Sequence, residues 1–112
     1  HQISLMKNGV TLINTARGGI VNTQSVLNAL KSGKIGSFGM DVYENEKGIF
    51  FYDHSHSILQ DDTLALLATF SNVLITAHQA FLTNEALEGI VSTTLKNLDQ
   101  WQNEGKSIND IN

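Results

Sequence analysis

The chain has 112 residues, a formal net charge of −4, no Cys and seven scattered basic residues. That length supports one small core, and the composition excludes a disulfide framework, a thiolate metal site and a Lys/Arg-rich nucleic-acid surface. No apolar run approaches the ~20 residues of a membrane span and no leader pattern is visible, so the reading is an ordinary globular cytoplasmic domain; the start at His1 marks it as a piece of something longer or a processed chain.

Gln2–Lys7 reads as the last turns of a helix, closed by Asn8-Gly9, where Gly9 suits a left-handed cap. Val10–Thr15 is short, β-branched and almost continuously apolar, the pattern of a strand buried on both faces. Ala16-Arg17-Gly18-Gly19 breaks it. A helix is predicted over Thr23–Lys31, capped by Asn22 or Thr23, with Val26, Leu27 and Leu30 on one face and Gly33 at its end. Gly36–Val42 is the second strand. Tyr43–Gln60 is a long connection containing Ile49-Phe50-Phe51-Tyr52, and connections of this length are usually functional. Asp61 or Asp62 starts a short helix, and Val73–Ala77 is the third strand. Thr83 caps a long helix, along which Leu87, Ile90, Val91, Leu95, Leu98 and Trp101 recur every three to four residues, and Gly105 stops it.

Strands alternating with helices imply right-handed βαβ units and a parallel sheet, hence an α/β fold. In such sheets ligands bind at the carboxyl ends of the strands. Arg17, Glu46 and His78 each fall at or shortly after a strand end, so a cation, a carboxylate and an imidazole are delivered to one edge. No Gly-rich phosphate loop of the G-x-G-x-x-G kind is present: Gly18-Gly19, and Gly33 with Gly36, do not match it.

Three ordered segments carry a resemblance: Ile13-Asn14-Thr15-Ala16-Arg17-Gly18-Gly19, Gly39-Met40-Asp41-Val42-Tyr43-Glu44-Asn45-Glu46, and Thr76-Ala77-His78-Gln79-Ala80-Phe81. Together they resemble the NAD-dependent D-2-hydroxyacid dehydrogenase family. The aromatic Ile49-Phe50-Phe51 insert and His78-Gln79-Ala80-Phe81-Leu82-Thr83 are most similar to its fermentative D-lactate type. The resemblance implies the second half of a Rossmann-like doubly wound parallel sheet, with three strands alternating with helices, as a fragment of a larger two-domain enzyme. Residues 1–82 would be the C-terminal half of the NAD-binding domain, and residues 83–112 the helix and tail leading back to the catalytic domain. It also implies NAD as cofactor, pyruvate and D-lactate as the keto/hydroxy acid pair, and a homodimer for the parent enzyme.

By the same resemblance, His78 donates a proton to the substrate carbonyl oxygen. Histidine suits that role because it titrates near neutral pH. Glu46 pairs with the other ring nitrogen and fixes the tautomer. Arg17 holds the substrate carboxylate through its planar fork. Thr15, Ala16, Arg17, Asp41, His78 and Ala80 would border the nicotinamide, and Phe81 would wall the substrate side chain. Some of these positions also have plainer readings. Asp41 also reads as a cap or buried hydrogen-bonding residue, Phe81 equally as core, and Phe50, Phe51 and Tyr52 as a packed loop. His54 and His56 read as solvated loop histidines and not as a metal site, because third and fourth ligands at fixed places are missing. The Leu87–Trp101 stripe reads as a helix facing a domain core. Two readings compete for the function. In one, the chain is part of a D-lactate dehydrogenase, or of a hydroxyisocaproate or glycerate relative. In the other, the fragment is itself inactive for want of the phosphate loop and serves only folding or association.

Overall fold

The computed structural model describes residues 1–111. Its elements are α1 (Gln2–Leu5), β1 (Val10–Asn14), a 3-10 turn (Gly18–Ile20), α2 (Thr23–Lys31), β2 (Ile35–Met40), α3 (Asp62–Leu67), β3 (Val73–Ile75) and α4 (Asn84–Glu104). They form two compact units, His1–Ala80 and a second beginning at Phe81.

In the first unit the three strands are all parallel, in the order β1-β2-β3. The alternation of strand and helix thus gives the expected α/β sheet. Asn14 pairs with Met40, and Met40 with Ile75, so the three carboxyl ends lie level. α2 starts where the sequence places it. The Asn22 side chain accepts from the Ser25 N–H at 2.9 Å and satisfies one of the free donors of the first turn. Its apolar residues Val26, Leu27, Ala29 and Leu30 are buried against Ile35, Phe38 and Met40 of β2 and Leu64 and Leu67 of α3. Val26, Ile35 and Leu67 are almost wholly enclosed, each contributing about 1.5–3 kcal/mol by leaving water. All three strands are shorter than the sequence suggests, because Thr15, Asp41–Val42 and Thr76–Ala77 already belong to the loops that follow.

One expectation is corrected. β1 is not buried on both faces: Ile13 is 68% exposed, as is Leu74 of β3 at 66%. The reason is topological. β1-α2-β2 and β2-α3-β3 step across the sheet in the same direction, and right-handed crossovers then place both helices on the same side. Thr11, Ile13 and Leu74 stand on the other face.

Gly18 needs to be glycine for lack of room. A Cβ there would lie 2.1 Å from the carbonyl carbon of Tyr43. The backbone of the loop after β1 therefore rests directly on the backbone after β2. Gly9 takes φ +71° in the turn before β1, but it does not cap the first helix as expected: α1 ends at Leu5, and Met6 follows it in an extended conformation.

In the second unit the Thr83 hydroxyl caps α4 by accepting from the Ala86 N–H at 3.2 Å, and Gly105 ends it in the left-handed region. The tail folds back on the helix. The Ser107 hydroxyl donates to Asn97 Oδ1 at 2.8 Å, and the Ile108 N–H to Gln100 Oε1 at 3.1 Å. The stripe Leu87, Ile90, Val91, Leu95, Leu98 and Trp101 is exposed along its length in this chain. No helix among the described residues is long and apolar enough to cross a membrane.

Gly18→Ala is expected to destabilise the protein by about 1–3 kcal/mol, as overpacking against fixed backbone does. Gly19→Ala, whose Cβ meets nothing within 4 Å, is expected to stay within about 0.5 kcal/mol of wild type. Paired urea melts check both; equal midpoints for the two variants would contradict the contact.

Candidate active site

The level ends of three parallel strands place three loops side by side. The loop after β1 is shaped by Asn14, a polar residue buried at the end of an apolar strand. Its Oδ1 accepts from the Ala16 N–H at 3.2 Å, and its Nδ2 donates to the Arg17 carbonyl at 3.0 Å. Thr15, Ala16 and Arg17 are thereby held exposed at the sheet edge. Arg17 Nη1 donates to the Ala16 carbonyl at 2.7 Å, and among the described residues the guanidinium forms no ion pair. An exposed, preorganised fork of this kind is suited to a carboxylate.

The loop after β2 contributes Glu46. Its Oε2 accepts from the Tyr43 N–H at 2.9 Å, which pins the carboxylate to its own turn. Its Oε1 faces Nδ1 of His78 at 3.0 Å, with the two side chains 22% and 31% exposed. A carboxylate only accepts, so Nδ1 carries the hydrogen. The tautomer is then fixed, and Nε2 is the nitrogen left for a ligand. The base of the same connection is closed by the Tyr43 hydroxyl, which donates to Asp61 Oδ2 at 2.6 Å. Burial pushes the Tyr43 phenol up to about 12, and the Asp61 bond adds to the rise. Burial alone would raise Asp61, but the Tyr43 hydroxyl and the N–H donors of α3 outweigh it and hold the carboxyl below the usual range.

The loop after β3 presents His78 from an uncommon backbone. Ala77 and His78 sit at φ 52° and 59°, a left-handed conformation that costs a non-glycine residue about 1–2 kcal/mol. Asp41, 4% exposed at the end of β2, holds it there. Its Oδ1 accepts from the Thr76 hydroxyl and from the Gln79 N–H at 2.7 Å, and its own carbonyl accepts from the His78 N–H. Hydrogen bonds to a charged group contribute about 1.5–3 kcal/mol each, enough to outweigh the strain. Desolvation by burial pushes the Asp41 carboxyl up. The Thr76 hydroxyl, the Ala80 and Gln79 N–H groups and the nearby His78 together pull it further down, to below its ordinary 3.8.

The structure therefore brings His78, Glu46 and Asp41 into one bonded cluster, with Arg17, Thr15, Ala16 and Ala80 exposed at the same edge. Phe81 opens the second unit and is 52% exposed. The side chains of Arg17, Glu46 and His78 are all at least partly open to solvent. A cavity of about 330 Å³ lies elsewhere, lined by residues that include Ile3, Leu12 and Val21. His54 bonds the Ser57 side chain at 3.1 Å and the Gly48 carbonyl at 3.0 Å. No group of three metal-binding side chains occurs among the described residues.

Sequence reasoning missed four contributors. Asn14 had a visible signal, an amide ending an apolar strand. Glu44 Oε1 accepts from the Thr23 N–H at 3.0 Å and ties the second loop to the start of α2. Thr76 bonds Asp41. Phe51 packs its ring 5.7 Å from the imidazole of His78, tilted by 49°; its apolar neighbours in sequence gave it only a packing role.

Residues 1–80 match the family described as D-isomer specific 2-hydroxyacid dehydrogenase, NAD binding domain. The chain is 56% identical over 93 residues to a D-lactate dehydrogenase of Escherichia coli, covering 83% of this chain and 28% of that one. It is 52% identical over 99 residues to a D-lactate dehydrogenase of Curvularia clavata, covering 88% and 28%. The solved structure of a D-lactate dehydrogenase from Sporolactobacillus superposes with a TM-score of 0.91 at 34% identity, over 98% of this chain and 33% of that one. The chain thus spans about a third or less of the proteins it matches, and its three-stranded sheet is part of a Rossmann-like NAD-binding domain.

Asp41→Asn tests the knot that holds His78. A depressed carboxyl contributes stability that is present above its unfolded value, near 3.8, and is lost as pH falls through the lower folded value. The variant is expected to be less stable than wild type at pH 7 and to lose less of its stability on acidification. Thermal melts from pH 7 down to about pH 2 check the sign; a wild-type-sized acid loss in the variant would contradict it.

Proposed function

Because this chain belongs to the D-isomer specific 2-hydroxyacid dehydrogenases, matched through their NAD-binding domain, we propose that the whole protein interconverts pyruvate and D-lactate. The observation that carries the reading is the His78–Glu46 pair, Nδ1 to Oε1 3.0 Å, on the same sheet edge as an Arg17 free of any ion pair among the described residues. Support for the lactate pair comes from the relatives in Escherichia coli and Curvularia clavata, both named D-lactate dehydrogenases. A cytoplasmic homodimer is the setting we assign, in keeping with a chain free of Cys.

The residues present suit a nicotinamide. Thr15 and Ala16 are exposed and small at the end of β1, Ala80 is small and exposed after His78, and Asp41, buried at the end of β2 with Oδ1 taken up by Thr76 and Gln79, fixes the loop that borders them. NADH, when bound, supplies the hydride. Arg17 binds the carboxylate of the keto acid and orients its carbonyl. His78 gives its Nε2 proton to the carbonyl oxygen as negative charge develops there, and takes it back in the reverse direction. Glu46 keeps the ring in the required tautomer and balances its charge when both nitrogens are protonated. Asp41 holds the left-handed loop, so the imidazole meets the substrate without reorganising.

The test is NADH oxidation by the full-length protein with pyruvate and with longer 2-keto acids. Pyruvate is expected to be the better substrate. His78→Gln is expected to lower kcat by roughly 10²–10⁴, and Arg17→Lys to raise the KM for pyruvate by at least about tenfold. Failure to turn over any 2-keto acid, or a wild-type rate in the His78 variant, would sink the reading. A clear preference for a bulkier keto acid would move it to the hydroxyisocaproate type.

A further inference from the structure

We propose that Phe51 is a positioning residue for His78, with its ring as the second wall that holds the imidazole. The inference rests on the reading of His78 as the proton donor.

Phe51 is 63% exposed, so burial of its own surface does not account for its place. Its neighbour Phe50 does the anchoring. That side chain packs against the core and lies 6.2 Å from the Tyr43 ring, while the N–H groups of Ile49 and Phe50 both bond the Glu46 carbonyl at 2.9 and 3.1 Å. With Phe50 fixed inward, Phe51 is set on the imidazole at 5.7 Å, within the range of favourable aromatic pairs.

Among the described residues the imidazole has few other restraints: its backbone is fixed by Asp41, and Nδ1 is held by Glu46 alone. One hydrogen bond at one edge lets the ring rock and sweeps Nε2 away from a fixed acceptor. A second contact from Phe51 removes that motion and keeps water from one side of the imidazole. Glu46 and Phe51 come from the same turn, five positions apart, so one segment supplies both restraints.

The experiment uses the full-length protein with Phe51→Ala, Phe51→Leu and Phe51→Tyr. Removal of the ring is expected to lower kcat about tenfold while the KM for the keto acid moves by less than about twofold. Tyr is expected to restore the wild-type kcat and Leu to fall between. In parallel, the ring-proton NMR signals of His78, assigned by their loss in His78→Gln, are expected to shift and broaden in the Leu variant and to return in the Tyr variant. Wild-type kcat in both Ala and Leu variants, or a Tyr variant no better than Ala, would overturn the inference. If the wild-type protein reduces no 2-keto acid, the earlier reading fails separately. The NMR then decides the restraint by itself, and unchanged His78 signals in the Leu variant would refute it.

Discussion

A single carboxylate buried at the end of the middle strand sets the shape of the site. Asp41 gathers the Thr76 hydroxyl and the Gln79 N–H on one oxygen, while its carbonyl takes the His78 N–H. Those bonds bind β2 to the loop after β3 and hold two non-glycine residues in the left-handed region. Without them the loop would relax towards ordinary backbone angles, and His78 would leave Glu46. Strain of this kind persists only where neighbouring structure over-determines it, and Asp41 supplies that surplus from a strand whose own position is fixed by the hydrophobic core.

A second constraint couples the remaining loop. Gly18 lies against the Tyr43 backbone with no space for a side chain, and Tyr43 in turn donates its N–H to Glu46. The loop bearing Arg17 is thus seated on the turn bearing Glu46. Arg17, Glu46 and His78 follow separate strands, but backbone and side-chain contacts link their loops in a chain: Gly18 to Tyr43, Tyr43 to Glu46, Glu46 to His78, and His78 to Asp41. An acid–base pair with an anion fork needs this kind of shared frame, because small displacements of any member degrade proton transfer.

Much of this was legible in the residues. The Asn22 cap, the Thr23–Lys31 helix, the Thr83 cap and the Gly105 stop follow from local chemistry that tertiary contacts do not override. The Glu46–His78 pair was legible only through the ordered motifs, because nothing local tells residue 46 that it will meet residue 78. The exposed face of β1 was misread: Leu12 and Ile13 are both apolar, so the pattern looks two-sided. The direction of the crossovers, a global property, decides which of them is covered. The left-handed Ala77 and His78 carried no signal, since neither residue type is selected by positive φ as glycine is.

Phe50 and Phe51 show the same limit at the scale of one dipeptide. Identical side chains sit next to each other, yet one anchors the turn in the core and the other lies mostly in solvent against a catalytic candidate. Sequence assigns both to packing, because hydrophobicity is all it registers. The difference arises from the turn itself: once the Glu46 carbonyl captures the N–H groups of Ile49 and Phe50, successive side chains must diverge, and the one turned from the core is aimed at the imidazole. The long connection after β2 is therefore no mere spacer. Its ends are clasped by the Tyr43–Asp61 bond, and its first turn carries both the edge and the wall restraint on a single ring.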